Sequence, residues 1–239
     1  MPQESPLIIL LDKIPSTNKY AMDNFLSLPD MSAIFAEHQS GGRGRQGRRW
    51  HSPPGNIYAS FILKNLSVPL PCAAFATCLA GTAVLKKLSP EHEFRIKLPN
   101  DIVCETRKIG GVLCETCKTK KSIGLVAGIG LNINVSQEEL QSTGTEATSI
   151  FSLTGKKTDL NDVRELLIKD AMNYFEMNED DIISEFISKC VLVGRMIAVR
   201  DAFGELRGEL KTILSDGAAV IETADGTKRK FYSGDFVLS

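Results

Sequence analysis

Residues Gly41 to Trp50 read GGRGRQGRRW, four arginines and four glycines around one glutamine and one tryptophan. A guanidinium carries a permanent charge and a planar fork of donors, so several on one loop can wrap a phosphate or a carboxylate from more than one side. Gly42, Gly44 and Gly47 keep the backbone thin, which lets its N–H groups approach an anion. Mutual repulsion among Arg43, Arg45, Arg48 and Arg49 predicts a segment that stays poorly ordered until that anion arrives. R-G-rich segments also bind RNA, so on this stretch alone an RNA-binding module and a solvated basic loop stand beside the anion site.

Three further stretches place polar or charged residues at turns and strand starts. KLPNDIV, Lys97 to Val103, ends a strand on Lys97 and enters a Pro-Asn-Asp turn, which is also ordinary turn chemistry. RKIGGVLCE, Arg107 to Glu115, sets Lys108 beside Gly110 and Gly111, and GIGLNIN, Gly128 to Asn134, brings a second pair of strand glycines. Glycine inside a strand marks the close approach of a ligand or another backbone. The G-x-G here lacks the rest of the dinucleotide fingerprint and the helix that must follow it, so a Rossmann site is rejected. Cys114-Glu-Thr-Cys117 has half the form of a zinc site, but no second such pair exists and His38, His51 and His92 are scattered; strand cysteines and no metal centre are expected.

The elements that must hold these residues are legible in part. A capped helix is predicted from Ser16 to before Pro29, a strand over Met31 to Glu37 entering the arginine loop, and one over Asn56 to Leu63 leaving it. Pro71 to Leu88 suits a mostly buried helix. Short strands follow at Phe94 to Leu98, Ile102 to Glu105, Gly110 to Thr116 and Ile123 to Asn132, a spacing that favours antiparallel pairing. Helices are predicted over Leu160 to Glu176 and Glu179 to Cys190, and from Val191 onward brief strands with Gly and Asp turns predict a small β-barrel. The expected fold is α+β, a mixed, mostly antiparallel sheet with helices over 1–189 and an SH3-like β-barrel over 190–239.

Composition limits the function. With 239 residues, 43% of them hydrophobic, the chain can bury one large core or a main domain plus a small one. A formal charge of −1 argues against a general nucleic-acid or anionic-membrane binder, so the basic stretch is a local device. The apolar run Leu7 to Leu11 has no basic start and no cleavage site, and no run approaches the roughly 20 residues of a membrane span. The six cysteines are then expected as free thiols in a cytoplasmic protein.

The motifs taken in order are more specific than any one of them. STN at 16, EHQSGGRGRQGRRW at 37, KLPND at 97, KIGGVL at 108 and GIGLNIN at 128 resemble, in sequence and spacing, the catalytic domain of biotin protein ligases. The likeness continues through Ala147 to Ile150 and the following helix, and the tail resembles that family's small C-terminal barrel. It implies a catalytic domain of the class II aminoacyl-tRNA synthetase/biotin ligase type. It also implies two steps: biotin attacks the α-phosphate of ATP to give biotinyl-5′-adenylate, and a lysine of a biotin carboxyl carrier domain then displaces AMP.

By that likeness Ser16, Thr17, Asn18 and Gln39 serve biotin's uncharged ureido ring. Arg43, Gly44, Arg45, Lys108, Gly111 and Gly128 complete the biotin side, while Arg48, Trp50, Lys97, Asn100, Asp101, Gly130 and Asn132, with Arg43 and Arg45, serve the adenylate. Arg45, Lys97 and Lys108 are the expected catalytic cations, and Mg²⁺ is expected mainly on the ATP phosphates. Trp50 reads equally well as a wall for the adenine and as an anchor for the loop's end. Leu98 stands where the family commonly has Trp, and Pro15 where an acidic residue often precedes STN. Only 15 residues precede Ser16, so no DNA-binding or repressor role is expected. A homodimer is left open, and a lipoate or octanoate transferase is the alternative with a related core.

Overall fold

The computed structural model describes residues 6–118, 123–141, 146–201 and 204–239. Its centre is a sheet of β1 (Ile8–Ile14), β2 (Ala33–Gln39), β3 (Ile57–Leu63), β4 (Phe94–Lys97), β5 (Asp101–Cys104), β6 (Arg107–Lys118) and β7 (Ile123–Leu131). The order is β1-β2-β3-β7-β6-β5-β4, with β1 parallel to β2 and every other pair antiparallel. The mixed, mostly antiparallel sheet of the sequence reading is therefore present. β1 was not anticipated, because an apolar run this short carries no period that separates strand from buried helix.

Both faces of the sheet are covered. On one lie α2 (Leu70–Leu88), α5 (Leu160–Glu176) and α6 (Glu179–Lys189), packed over Phe61, Val112, Ala127, Ile129 and Leu131. On the other lies α1 (Thr17–Asp23), whose Ala21 joins Phe25, Ile34, Ile62 and Val126 in a smaller cluster. This two-sided cover explains why all seven residues of β3 are buried rather than alternating. α1 stops at Asp23 with Asn24 as its cap, well short of Pro29, and begins on Ser16, whose Oγ accepts from the Lys19 amide. α5 and α6 are capped by Asp159 and Asn178. Two single-turn helices, α3 (Gln137–Gln141) and α4 (Ile150–Thr154), are too short to leave a periodic signal.

The C-terminal strands β8 (Met196–Asp201), β9 (Gly204–Ile213), β10 (Ala219–Glu222), β11 (Lys228–Phe231) and β12 (Asp235–Leu238) form an antiparallel sheet, β11-β10-β9-β8-β12. Ile197, Val199, Leu210, Ile213 and Phe236 join the same apolar cluster as the main sheet and α2. The described cysteines are all free, as expected. Cys114 and Cys117 both lie on β6; three positions apart on a strand they point to opposite faces, Cys114 to the main core and Cys117 to the α1 cluster, so they cannot converge on one ion.

Candidate functional site

The α1 face of β7 is paved with glycine. Leu125, Ala127, Ile129 and Leu131 turn into the main core, which leaves Gly124, Val126, Gly128 and Gly130 facing α1. A Cβ on Gly128 would lie 2.0 Å from Asn18 Oδ1, and one on Gly130 would lie 2.7 Å from the Trp50 indole nitrogen. Each absent side chain is thus the space for a polar or aromatic group from overhead. Together with β6 this track forms the floor of a cleft of about 550 Å³.

One wall presents uncharged side chains at the start of α1, backed outside the cleft by the Glu115 carboxylate. Gln39 Oε1 accepts from the Thr17 amide at 2.8 Å and from its hydroxyl at 3.2 Å, while Gln39 Nε2 donates to Ser52 Oγ at 3.1 Å. Asn18 Nδ2 donates to the Leu113 carbonyl at 2.9 Å and to Glu115 at 2.8 Å. Ser60 Oγ lies 2.8 Å from Thr17 Oγ1 and 2.6 Å from Asn18 Oδ1. These bonds fix which way each amide and hydroxyl points, so the site is oriented before anything enters. Ser60 has no place among the sequence expectations, although a serine in the apolar run of β3 is its signal.

The opposite wall is cationic. Lys108 opens β6, and because Gly111 has no side chain, the Lys108 stem crosses over it and reaches Asp101 at 2.5 Å. Its Nζ also lies 5.2 Å from the centre of the Trp50 ring. Asp101, placed in the sequence with the adenylate set, is therefore first the counter-ion of Lys108. Asn100 donates to the Val112 carbonyl and accepts from the Val112 amide, tying the Pro-Asn-Asp turn to β6. Asn132 donates to the Thr148 carbonyl at 3.0 Å, and the Lys108 main chain bonds Glu146 and Thr148, so the Ala147–Ile150 segment is sewn to the same corner.

The arginine stretch differs from the shapeless segment expected. It is a hairpin in which Arg43 bridges Arg49 and the turn places Gln46 at φ 55 and Gly47 at φ 74, the left-handed pair that tight hairpin turns require. The repulsion that argued for disorder is offset by protein carboxylates: Arg43 lies 3.3 Å from Glu115, and Arg48 lies 3.7 Å from Asp235. Burial lowers the Arg45 pKa from its ordinary value, with Arg48 adding to the effect and Asp101 and Asp235 opposing it, yet no physiological pH neutralises a guanidinium. Trp50 closes the hairpin with its amide on the Gly42 carbonyl, and its indole nitrogen is buried without a hydrogen-bond partner.

All of the sequence-predicted residues meet in this one cleft. Ser16, Thr17, Asn18, Gln39, Arg43, Gly44, Arg45, Arg48, Trp50, Lys97, Asn100, Asp101, Lys108, Gly111, Gly128, Gly130 and Asn132 line it together. The C-terminal sheet adds Arg200, Asp235, Phe236 and Val237, which no motif announced. Tyr58 also lines it; its hydroxyl donates to the Pro53 carbonyl at 2.7 Å, and burial pushes the phenol well above its ordinary range.

The fold that carries this cleft has known counterparts. Residues 10–132 match the biotin/lipoate A/B protein ligase family, and the chain belongs to that family. Residues 192–239 match the biotin protein ligase C-terminal domain, which sets the chain among the biotin protein ligases within it. The biotin protein ligase of Aquifex aeolicus, solved in complex with biotin and ATP, superposes with a TM-score of 0.83 at 27% identity, covering 98% of each chain. The bifunctional ligase/repressor BirA of Bacillus spizizenii is 30% identical over 97% of this chain and 74% of its own. The biotin–[acetyl-CoA-carboxylase] ligase of Paracoccus denitrificans is 26% identical over 91% of this chain and 95% of its own.

Proposed function

We propose that this cleft activates biotin with ATP and then passes the biotinyl group to a lysine of a biotin carboxyl carrier domain. The observation that carries the assignment of roles is the meeting of the Thr17–Asn18–Gln39 network and the Arg45–Lys108 cations in one cleft, on a floor of glycine. The first wall suits a ring that offers a carbonyl and two N–H groups without charge. The second suits the place where two anions must be brought together.

In the first step a carboxylate oxygen of biotin attacks the α-phosphorus of ATP, and the bond to the bridging oxygen breaks to release pyrophosphate. Two like charges oppose the approach, and fixed cations lower that barrier most where water is excluded. Lys108, already steered by Asp101 and Gly111, is assigned to the carboxyl-phosphate centre, with Arg43 and Arg45 of the hairpin over it and Lys97 and Arg48 towards the phosphates. In the second step the carrier's amine, as the free base, attacks the acyl carbon, AMP leaves, and an amide forms. No enzyme nucleophile is needed; positioning carries much of the rate.

Mg²⁺ would enter on the ATP phosphates and supply further charge neutralisation. The lining supports only that mode, since its described carboxylates, Asp101 and Asp235, are already paired with Lys108 and Arg48. The 189/190 boundary is proposed as a change of architecture within one shared core. Incubation of the protein with biotin and ATP, without carrier, tests the first step: mass spectrometry of the protein-bound fraction is expected to find biotinyl-adenylate, unaffected by a large excess of lipoate. Its absence, or suppression by lipoate, contradicts the reading.

A further inference from the structure

Behind the Pro-Asn-Asp turn lies a second cavity of about 320 Å³, within the about 300–1,000 Å³ typical of small-molecule sites. Phe75 and Cys78 of α2, Leu98 of the turn, Ile213 and Phe231 of the C-terminal sheet, and Tyr232 just after β11 make its walls predominantly apolar. Arg45, Leu98, Asn100 and Phe236 line this cavity and the main cleft alike. One guanidinium therefore stands at the junction of the two.

That guanidinium is unspent. Arg43 and Arg48 have carboxylate partners, whereas the Arg45 side chain, partly buried, makes no ion pair or hydrogen bond among the described residues. Asp101 and Asp235 favour this half-buried charge only from beyond contact distance, and an anion arriving from either cavity offsets the rest of its desolvation. At the other side Asp216 is already engaged by the Ala218 amide, the Tyr232 hydroxyl and Lys230. Its negative charge turns the anionic end of any ligand away from itself and towards Arg45.

We propose that this cavity binds a small apolar carboxylate of the medium-chain fatty-acid class. The chain fills the space between α2 and the C-terminal sheet, and the carboxylate takes Arg45. The consequence rests on the ligase reading: Arg45 held from behind is withdrawn from the adenylate, so occupancy weakens retention of biotinyl-adenylate, and adenylate in turn weakens fatty-acid binding.

Decanoate is the probe, added to the whole protein carrying labelled biotinyl-adenylate in the presence of excess free biotin. Release, followed by filter retention, is expected to speed up about fivefold or more at saturation, the lower end of ordinary coupling between sites. Ala74→Phe fills the second cavity from α2, where Ala74 touches that cavity and not the cleft. It is expected to leave undisturbed release unchanged and to remove the decanoate effect. Tyr232→Ala trims an exposed wall and is expected to raise the decanoate concentration required. No decanoate effect on the unaltered protein, an equal effect in Ala74→Phe, or an effect abolished by more biotin each overturns the proposal. Calorimetric titration of decanoate into the protein without nucleotide separates the two ideas. Binding that is lost in Ala74→Phe and in Arg45→Gln is expected whether or not adenylate forms, and its absence overturns the cavity site alone.

Discussion

Lys108 shows how much one side chain depends on its neighbours' lack of one. Gly111 gives its stem a path, Asp101 gives it a direction, and Trp50 lies against its charge. Lys108→Ala removes a cation aimed at developing charge and is expected to slow adenylate formation about 10²–10³-fold, with biotin binding much less affected; stopped-flow adenylation beside calorimetry checks the split. Gly128→Ala puts a Cβ 2.0 Å from Asn18 Oδ1, so Asn18 must leave its bonds to Leu113 and Glu115. Loss of about 1–3 kcal/mol of stability is expected, together with weaker biotin binding, read from urea unfolding and titration. Arg45→Gly is expected to release biotinyl-adenylate roughly tenfold faster or more, since a hydrogen bond to a charged group contributes about 1.5–3 kcal/mol; labelling of bystander lysines is the visible sign. The residues of this site were legible in the sequence because five stretches, each ambiguous alone, stand in the order and spacing of one family's catalytic domain. The pairings were not: that Asp101 answers Lys108 follows from Asp101 lying opposite Gly111 in the ladder, a register no spacing reveals.

At the scale of elements, the strands around the site other than β1 followed from their apolar patterns, α1 from its cap, and α2 and α5 from their apolar residues. The hairpin did not. Charge repulsion argued for disorder, and the carboxylates that oppose it, Glu115 on β6 and Asp235 on β12, are far away in sequence. The hairpin's form hangs on Gly42, where a Cβ would meet Ser52 Oγ at 2.5 Å and the Trp50 carbonyl at 2.6 Å. Gly42→Val is therefore expected to open the hairpin base and weaken adenylate retention while the sheet stays folded, which amide hydrogen exchange over 41–50 would report. Two core-facing cysteines respond at the same scale: desolvation pushes the buried Cys72 thiol from 9.0 up to about 11 and the partly buried Cys114 up to about 12. In the unfolded chain these thiols ionise first, so the folded state binds more protons as pH passes 9.0. Stability is expected to fall between that value and about 11, and iodoacetamide is expected to label Cys72 and Cys114 of the folded protein slowly near neutral pH.

For the molecule as a whole, the change of texture after residue 190 corresponds to the C-terminal antiparallel sheet but conceals how the parts are joined. Leu192, Ile197, Leu210, Ile213 and Phe236 belong to one core with α2 and the main sheet, and Phe236 and Val237 reach the cleft. Ending the chain at residue 190 strips several buried side chains from that core, each contributing about 2–5 kcal/mol, against a total of about 5–15 kcal/mol for a whole domain. Loss of a cooperative thermal transition is the expected result, checked by circular dichroism. Biotin activation and transfer are tested together with ATP labelled on its γ-phosphate, biotin and an apo carrier domain. Labelled pyrophosphate is expected to appear only when biotin is present, with biotin recovered as an amide on one carrier lysine. Folded protein that releases no pyrophosphate in response to biotin, or leaves the carrier unmodified, would contradict it.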